Sequence, residues 1–547
     1  MIELKLTDSL QKLWNGSEIL PLDEVSCFEN EVASVQLAVL NDELAKGNCR
    51  FEISSPLPLL MRRVGYVPGD FTDLPDGDEY VIAKGLHVFP DPLLPLDAGD
   101  FPLKGNTLNA FWITLGTGER MAVGKHAVKI ALFDDKNNLL GQAEFSVTVR
   151  EGVLPESDLA VTDWMHYDCI CNYYRCKPFG RKFRKLTRSF ISAAVRHGIN
   201  TLYVPLFTPP LDTRVGGERT TVQLIGVKKE EGKYAFDFSL LGEFLAVAEK
   251  LGVKYFEFSH LFTQWGAQAC PKIMATVNGS VRRIFGWDTP ADGAEYTAFL
   301  EEFLPALGAF LRESGLRERS FIHISDEPSE YWLKDYTVRR ALVKRLLPDF
   351  THIDTLSEIE FLDRGLVDIP VAVTESAKKF AESGKDYWVY YCFPQCKEYL
   401  SNRIMNMPSE RTRILGMQLY RNGAKGFLHW GYNFYNTALS VRSVNPFFET
   451  DAGGFFESGD SFIVYPGENG ALDSVRFEVF REAMQDYRAL MLLGQLIGKE
   501  KAISLLRDLG IEGFTEYPHG SRAFLKMRRA IDEAIEACMR EHKQREN

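Results

Sequence analysis

An apolar run, Phe321-Ile322-His323-Ile324-Ser325, leads straight into two adjacent carboxylates, Asp326 and Glu327, followed by Pro328. Proline removes a ladder donor and ends a strand, so both acids stand at the strand's C-terminal end. Two carboxylates this close repel, and with desolvation that raises the pKa of at least one. A protonated Glu beside an ionised Asp is a proton donor plus an electrostatic stabiliser, the pairing that glycosidic cleavage uses. The plainer alternative is a surface Asp-Glu pair capping the helix that begins near Glu330.

Something must hold that strand end. From Pro155 onward the sequence alternates strands and helices. Strands are expected at Leu159–His166, Thr201–Phe207, Tyr255–Phe262, Ser320–Ser325, Thr351–Leu356, Ile369–Thr374, Tyr387–Phe393 and Gly426–Tyr432. Helices are expected between and after them, among them Arg181–His197, Ala294–Glu313 and Ser474–Leu493. Eight such units predict a (β/α)8 TIM-like barrel over 155–497, with Asp326 and Glu327 ending strand 4. Helix-to-strand joints are short, whereas the strand-to-helix joints after strands 2, 3 and 8 are long. Long joints stand on the C-terminal face, where barrel active sites sit. Before Pro155, short β-rich runs such as Ala33–Asn41, Asn109–Thr117 and Ala127–Asp134 predict an N-terminal β-sandwich over 1–154. Residues 498–547 read as a C-terminal helical extension. The fold class is therefore multidomain, α/β plus all-β.

The acid pair leaves the nucleophile open. A second protein carboxylate would stand ≈ 5–5.5 Å from the acid in a retaining enzyme and ≈ 6.5–9.5 Å away in an inverting one. Strand 7 ends Tyr390-Tyr391-Cys392-Phe393 and strand 8 ends His429-Trp430-Gly431-Tyr432-Asn433, both without an acid. That favours a third scheme, in which the substrate's own 2-acetamido oxygen attacks the anomeric carbon. Asp326 would orient the amide and stabilise the cationic ring, and Glu327 would protonate the leaving oxygen. A sugar without the acetamido group would instead need a loop carboxylate such as Asp212 or Asp168.

Other residues are candidates for holding a sugar. Trp164, His166 and Asp168 alternate along strand 1 and would share one face, lining the pocket floor or forming a core in which His166 bonds Asp168. Trp430, Tyr432 and Asn433 end strand 8, where a Trp is a natural platform under a pyranose ring. Tyr391 ends strand 7, where its hydroxyl could hold the acetamido carbonyl. His260, Gln264 and Trp265 follow strand 3, with Trp287 in the same loop. Asp212 and Arg219 follow strand 2, with a mutual ion pair as the alternative. Glu257, mid-strand 3, reads as a buried structural acid.

These segments together resemble glycoside hydrolase family 123, the β-N-acetylgalactosaminidases. The likeness is carried by Asp326-Glu327, Trp164 to Asp168, Thr208 to Thr213, Gly426 to Asn433, Gly459 to Gly467 and Ser474 to Glu478. It implies retaining, exo-acting, substrate-assisted hydrolysis of a terminal β-linked N-acetylgalactosamine, with Asp326 and Glu327 in the roles just given. The competing readings are a barrel glycosidase for another sugar and an inactive carbohydrate-binding homologue. Retention of both acids speaks against the latter.

Composition narrows the classes. The chain has 547 residues, and its 63 Lys+Arg against 75 Asp+Glu leave a net charge of −12. That balance lacks the basic footprint of a nucleic-acid binder. No run of 18 or more apolar residues points to a membrane span. Nine cysteines without C-x2-C spacing, and a start without a signal-like apolar stretch, predict reduced thiols in the cytoplasm. No H-E-x-x-H or phosphate-binding glycine loop occurs, so neither metal nor cofactor is expected. The expected partner is a glycan or glycoside; the oligomeric state is not legible.

Overall fold

The computed structural model describes residues 2–22, 25–71, 77–96 and 101–546. Eight strands close into a barrel, numbered here 1 to 8: Ala160–Asp163, Thr201–Val204, Tyr255–Phe258, Ser320–Ile322, Thr351–Thr355, Ile369–Val373, Trp388–Tyr390 and Gly426–His429. All pairings are parallel, and strand 8 closes on strand 1 with Gly426 opposite Ala160. Each lies inside its expected segment but is shorter. Strand 1 shows why: the ladder ends at Asp163, and residues 164–166 turn into helix Tyr167–Tyr174. Residues past a ladder are freed to aim side chains at the mouth.

The surrounding helices follow from apolar spacing. Helix Arg181–Arg196 buries Phe183, Leu186, Thr187, Phe190, Ile191 and Ala194, the i, i+3, i+4 stripe of a helix lying on a sheet. Helix Ala294–Glu313 repeats the pattern with Tyr296, Phe299, Leu300, Phe303, Leu304 and Leu307. The short helix-to-strand joints turn on Gly198 (φ +91°) and Gly252 (φ +101°), conformations that side chains rarely adopt. The long joints carry structure that the sequence did not suggest. Hairpins Gly226–Glu230/Lys233–Asp237 and Ile273–Val277/Ser280–Phe285, from the loops after strands 2 and 3, join into one four-stranded sheet through Lys228 and Thr276. Tyr234 and Phe236 of the first hairpin pack on Phe299 of the barrel helix, which makes the insertion part of the core.

The N-terminal strands form two five-stranded sheets over a common core. One contains Ile2–Asp8, Ala33–Asn41, Thr107–Leu115, Leu59–Gly69 and His87–Pro95; the other contains Val25–Phe28, Leu139–Arg150, Gly124–Phe133, Lys46–Ser54 and Phe101–Leu103. Val35, Leu37 and Val39 point into that shared core. Ala38, on the opposite face by the period of two, belongs to the core that continues into the barrel. Arg62 bonds Asp473 at 2.7 Å and Glu478 at 2.6 Å across this contact. The last helix, Ser521–Glu546, is tied in by Arg528, which reaches Glu31 and Asp486. All nine cysteines are free thiols. Among the described residues no helix is long and apolar enough to cross a membrane.

Candidate active site

Strand 4 stops pairing at Ile322, and the chain beyond it carries the dyad into the barrel mouth. Asp326 is half-buried and Glu327 exposed. The Thr355 hydroxyl, at the end of strand 5, donates to Asp326 Oδ1. The Asp326 carbonyl accepts from Trp265 N–H at 3.0 Å, and Glu327 N–H donates to the Thr355 carbonyl at 3.1 Å. The Tyr390 hydroxyl donates to Glu327 Oε1 at 2.8 Å. Glu327 has φ +44°, a left-handed conformation that costs a non-glycine residue roughly 1–2 kcal/mol. Strain of this kind collects at functional sites.

Burial first, and the charge of Glu327 second, push Asp326 well above the usual carboxylate range. The sequence expectation is an ionised Asp326, whereas burial favours its neutral form in the empty site. The physical reason is position: Asp326 faces protein, whereas Glu327 faces water. Two further acids share this field. Burial pushes Asp212 up to about 6, opposed by Arg219 and reinforced by Glu327. Asp460, also by burial, is pushed up to about 7.

Under the dyad lies a saturated ionic floor. Burial alone would lower His323, but its bonds to Asp354 and Glu257 raise it to about 9. Its Nδ1 meets Asp354 Oδ1 at 3.1 Å and its Nε2 meets Glu257 Oε1 at 2.5 Å. Glu257 also accepts from Thr162 Oγ1 (2.6 Å) and Trp164 Nε1 (2.8 Å), and Asp354 from Tyr336 Oη (2.6 Å). Glu257 is thus the structural acid expected. Trp164 belongs to this floor, stacked on Tyr203 at 5.2 Å. His260 bonds Tyr203 Oη at 3.0 Å and stacks on His323 at 4.1 Å.

Several expected placements are corrected. Asp168 does not alternate with Trp164 and His166 on a strand; it lies in the first turn of helix Tyr167–Tyr174. Its partner is Arg219, at 2.6 and 2.8 Å, rather than His166. Arg219 thereby pairs with Asp168 and not with Asp212, and it donates to His166 Nδ1 at 3.0 Å. His166 is pushed down to about 3 by burial and by Arg219, so it is neutral. Asn433 clamps the His166 backbone, accepting from its N–H at 2.8 Å and donating to its carbonyl at 3.1 Å. Tyr432 points outward, its hydroxyl donating to the Phe190 carbonyl at 2.8 Å.

Tyr391 also points outward, against Phe427 and His429, with its hydroxyl buried and unpartnered. Its neighbour Tyr390 is the inward residue. The sequence holds a signal for this parity. Gly426 faces Trp388 across strands 7 and 8, and a Cβ there would lie 2.3 Å from the indole. Trp388 therefore fills the barrel interior above Gly426, and Tyr390 follows it two residues on.

Trp430 is half-buried at the mouth. Its Nε1 donates to Asp460 Oδ2 at 2.9 Å. Arg403, in a bidentate pair with Asp163, donates to His429 Nδ1 at 2.7 Å, and Gly431 N–H donates to the same atom. The His429 proton therefore lies on Nε2, facing Asp460 Oδ1 at 3.4 Å. Asp460, Arg403, His323, Thr355 and Tyr390 all escaped the sequence reading. Trp265 and Asp212 stand on the rim, both at positive φ (+57° and +50°). Trp287 ties the two long loops together through a 3.1 Å bond to the Pro210 carbonyl.

His260, His323 and Asp354 offer ligand atoms within 4.8 Å of one another. Both His323 nitrogens are already bonded to carboxylates, and its ring is stacked on His260 at 23°. In-plane lone pairs of stacked rings do not converge on one ion, so this cluster is a poor metal cage.

The sequence profile of the glycoside hydrolase 123 catalytic domain matches residues 164–493. A family 123 glycoside hydrolase from Clostridium perfringens, studied for glycolipid glycan hydrolysis, superposes with a TM-score of 0.74 at 15% identity, covering 99% of each chain. A β-glucuronidase from Bacteroides uniformis gives a TM-score of 0.33 at 11% identity, over 89% of this chain and 50% of that one. No curated protein sequence matches. The match over most of the barrel makes this chain a member of glycoside hydrolase family 123, a glycoside hydrolase acting on a glycan substrate.

Proposed function

We propose that this enzyme is a retaining exo-β-N-acetylhexosaminidase, for N-acetylgalactosamine above all, that uses the substrate's acetamido group as nucleophile. The observation carrying this reading is the dyad: Glu327 presented to the mouth by Tyr390, beside an Asp326 held by Thr355. The galacto preference rests on family membership.

In this mechanism the dyad enters with one proton, which passes from Asp326 to Glu327 as the substrate amide takes up Asp326, and Glu327 gives it to the glycosidic oxygen as that bond breaks. The acetamido carbonyl oxygen closes on C1 from the other face. Its N–H donates to Asp326, whose negative charge offsets the positive charge developing on the new ring. Burial makes ionised Asp326 costly in the empty site, and the cationic intermediate repays that cost. Glu327 then takes a proton from water as the water opens the ring at C1, which returns the original anomeric configuration. The half-buried face of Trp430 is the platform for the sugar ring, and the ionic floor sets its depth.

A second reading keeps one supporting observation. The Asp212 carboxylate has no hydrogen-bond partner among the described residues and lies in the field of Glu327. Asp168, committed to Arg219, is a poor nucleophile by comparison. A panel of aryl β-glycosides with and without the 2-acetamido group separates the two. Turnover confined to acetamido sugars supports assistance by the substrate. Brisk turnover of a 2-hydroxy galactoside, with a sugar ester trapped on Asp212, overturns it.

A further inference from the structure

Beyond the dyad, the rim carries aromatic surface that no packing explains. Trp265 is 53% exposed and Tyr331 82%. They come from different loops, after strands 3 and 4, yet they form one surface. Trp332 lies flat over Gly266, where an added Cβ would sit 2.4 Å from the indole. Tyr331 meets Trp332 edge to face at 4.7 Å. Gly266, at φ +114°, is flanked by Trp265 (φ +57°) and Ala267 (φ +55°). Three successive left-handed residues are a costly way to build a loop, and strain of this kind collects at ligand clamps.

The surface is anchored to the reacting groups. The Trp265 N–H holds the Asp326 carbonyl, and Tyr331 stands four residues beyond the exposed Glu327. An acid that protonates a leaving oxygen stands at the boundary between the scissile sugar and whatever departs. The departing group therefore lies on the solvent side of Glu327, where this surface is. Pyranose rings present rows of C–H bonds to flat aromatic faces while their hydroxyls stay in water. Half-exposed Trp and Tyr rings suit that contact, and exposed apolar patches of this kind mark binding sites.

We propose that Trp265, Tyr331 and Trp332 form a leaving-group subsite that stacks sugar rings, so that the substrate is an oligosaccharide with at least two sugars beyond the scissile bond. This rests on the reading of Glu327 as the acid. The test compares a trisaccharide ending in β-N-acetylgalactosamine with the aryl β-N-acetylgalactosaminide, using the full chain and the variants Trp265→Ala and Tyr331→Ala. Each variant should lose roughly tenfold more kcat/KM on the trisaccharide than on the aryl glycoside, carried mainly by KM. Equal losses on both substrates, or no loss on the trisaccharide, overturn the subsite. Tyr331 makes no hydrogen bond to the dyad, so its variant reads stacking apart from any shift of Asp326. If the parent enzyme hydrolyses neither substrate, the acid assignment fails, and calorimetry decides the subsite separately. There the trisaccharide should bind the parent roughly tenfold tighter than free N-acetylgalactosamine, with that advantage lost in both variants; equal affinity for the two sugars overturns the proposal.

Discussion

The barrel holds two carboxylate clusters a few residues apart, and they are built oppositely. In the floor, Glu257 and Asp354 are fully buried, and each accepts bonds from His323 and from neighbouring hydroxyls or indole. At the mouth, Glu327 is exposed, strained, and holds a single side-chain bond. In the proposed mechanism the same residue types serve structure below and chemistry above. What separates them is satisfaction: a carboxylate whose lone pairs are all used has nothing left to offer a substrate. Mutations should therefore split into losses of rate without stability above, and losses of stability below.

The sharpest break is Glu327→Gln. It keeps shape and removes the proton, so kcat should fall roughly 10²–10⁴-fold on glycosides with poor leaving groups, and much less on activated aryl glycosides. Its melting temperature should stay near that of the parent, and equal rate losses across the leaving-group series would remove Glu327 from the acid role. Next comes Asp326→Asn, for which kcat should drop by roughly 10²–10³ while ground-state binding barely weakens, because in the proposed mechanism the charge that Asp326 stabilises develops only as the acetamido ring closes. A thiazoline mimic of the cyclic intermediate should lose more affinity in this variant than the free sugar does.

His323→Gln tests the floor. It leaves Glu257 and Asp354 without their shared cation and should cost about 3–5 kcal/mol of stability. The pH dependence follows from His323 lying at about 9 when folded against ~6.5 unfolded. Its stabilisation is fully present below pH 6.5 and is lost as pH rises toward 9. The melting-temperature gap between parent and variant should thus narrow across that window. His166 and His352, pushed down to about 3 and about 4, act only in the acid range and do not blur it. A gap constant from pH 6 to 9 would mean that His323 is not held as the cation.

The smallest effects come from neighbours on strand 7. Tyr390→Phe removes the donor to Glu327 and should lower kcat/KM about tenfold on the aryl β-N-acetylgalactosaminide. Tyr391→Phe removes a buried hydroxyl without a partner and should leave activity intact and stability unchanged or slightly raised. Reversal of these two results would put strand 7 one residue out of register.

That pair also shows where the sequence stops being legible. The alternation of strands with helices, the lopsided loops and the Asp-Glu step are local signals, and the barrel order follows them. Side-chain parity at a strand end is not local. Tyr390 and Tyr391 are the same residue type, and only the facing Gly426 distinguishes them. Asp168 escapes a strand-by-strand reading because Met165 and His166 look strand-like, while the ladder ends at Asp163. Its partner Arg219 lies 51 residues on, in a loop without a period. His323 was passed over because a histidine in an apolar run carries no sign of the two acids that charge it.

The bond from Arg528 to Glu31 spans 497 residues, nearly the length of the polypeptide. On the ribosome, Glu31 emerges 497 residues ahead of its counter-charge. The joint between strands Val25–Phe28 and Ala33–Asn41, which carries Glu31, must therefore wait without its counter-charge until Arg528 is made, and its final docking is a late, long-range event of the kind that slows folding. Loss of the helix that carries Arg528 would strand that charge, so molecules released before it is made should be cleared as misfolded rather than persist as shortened enzymes.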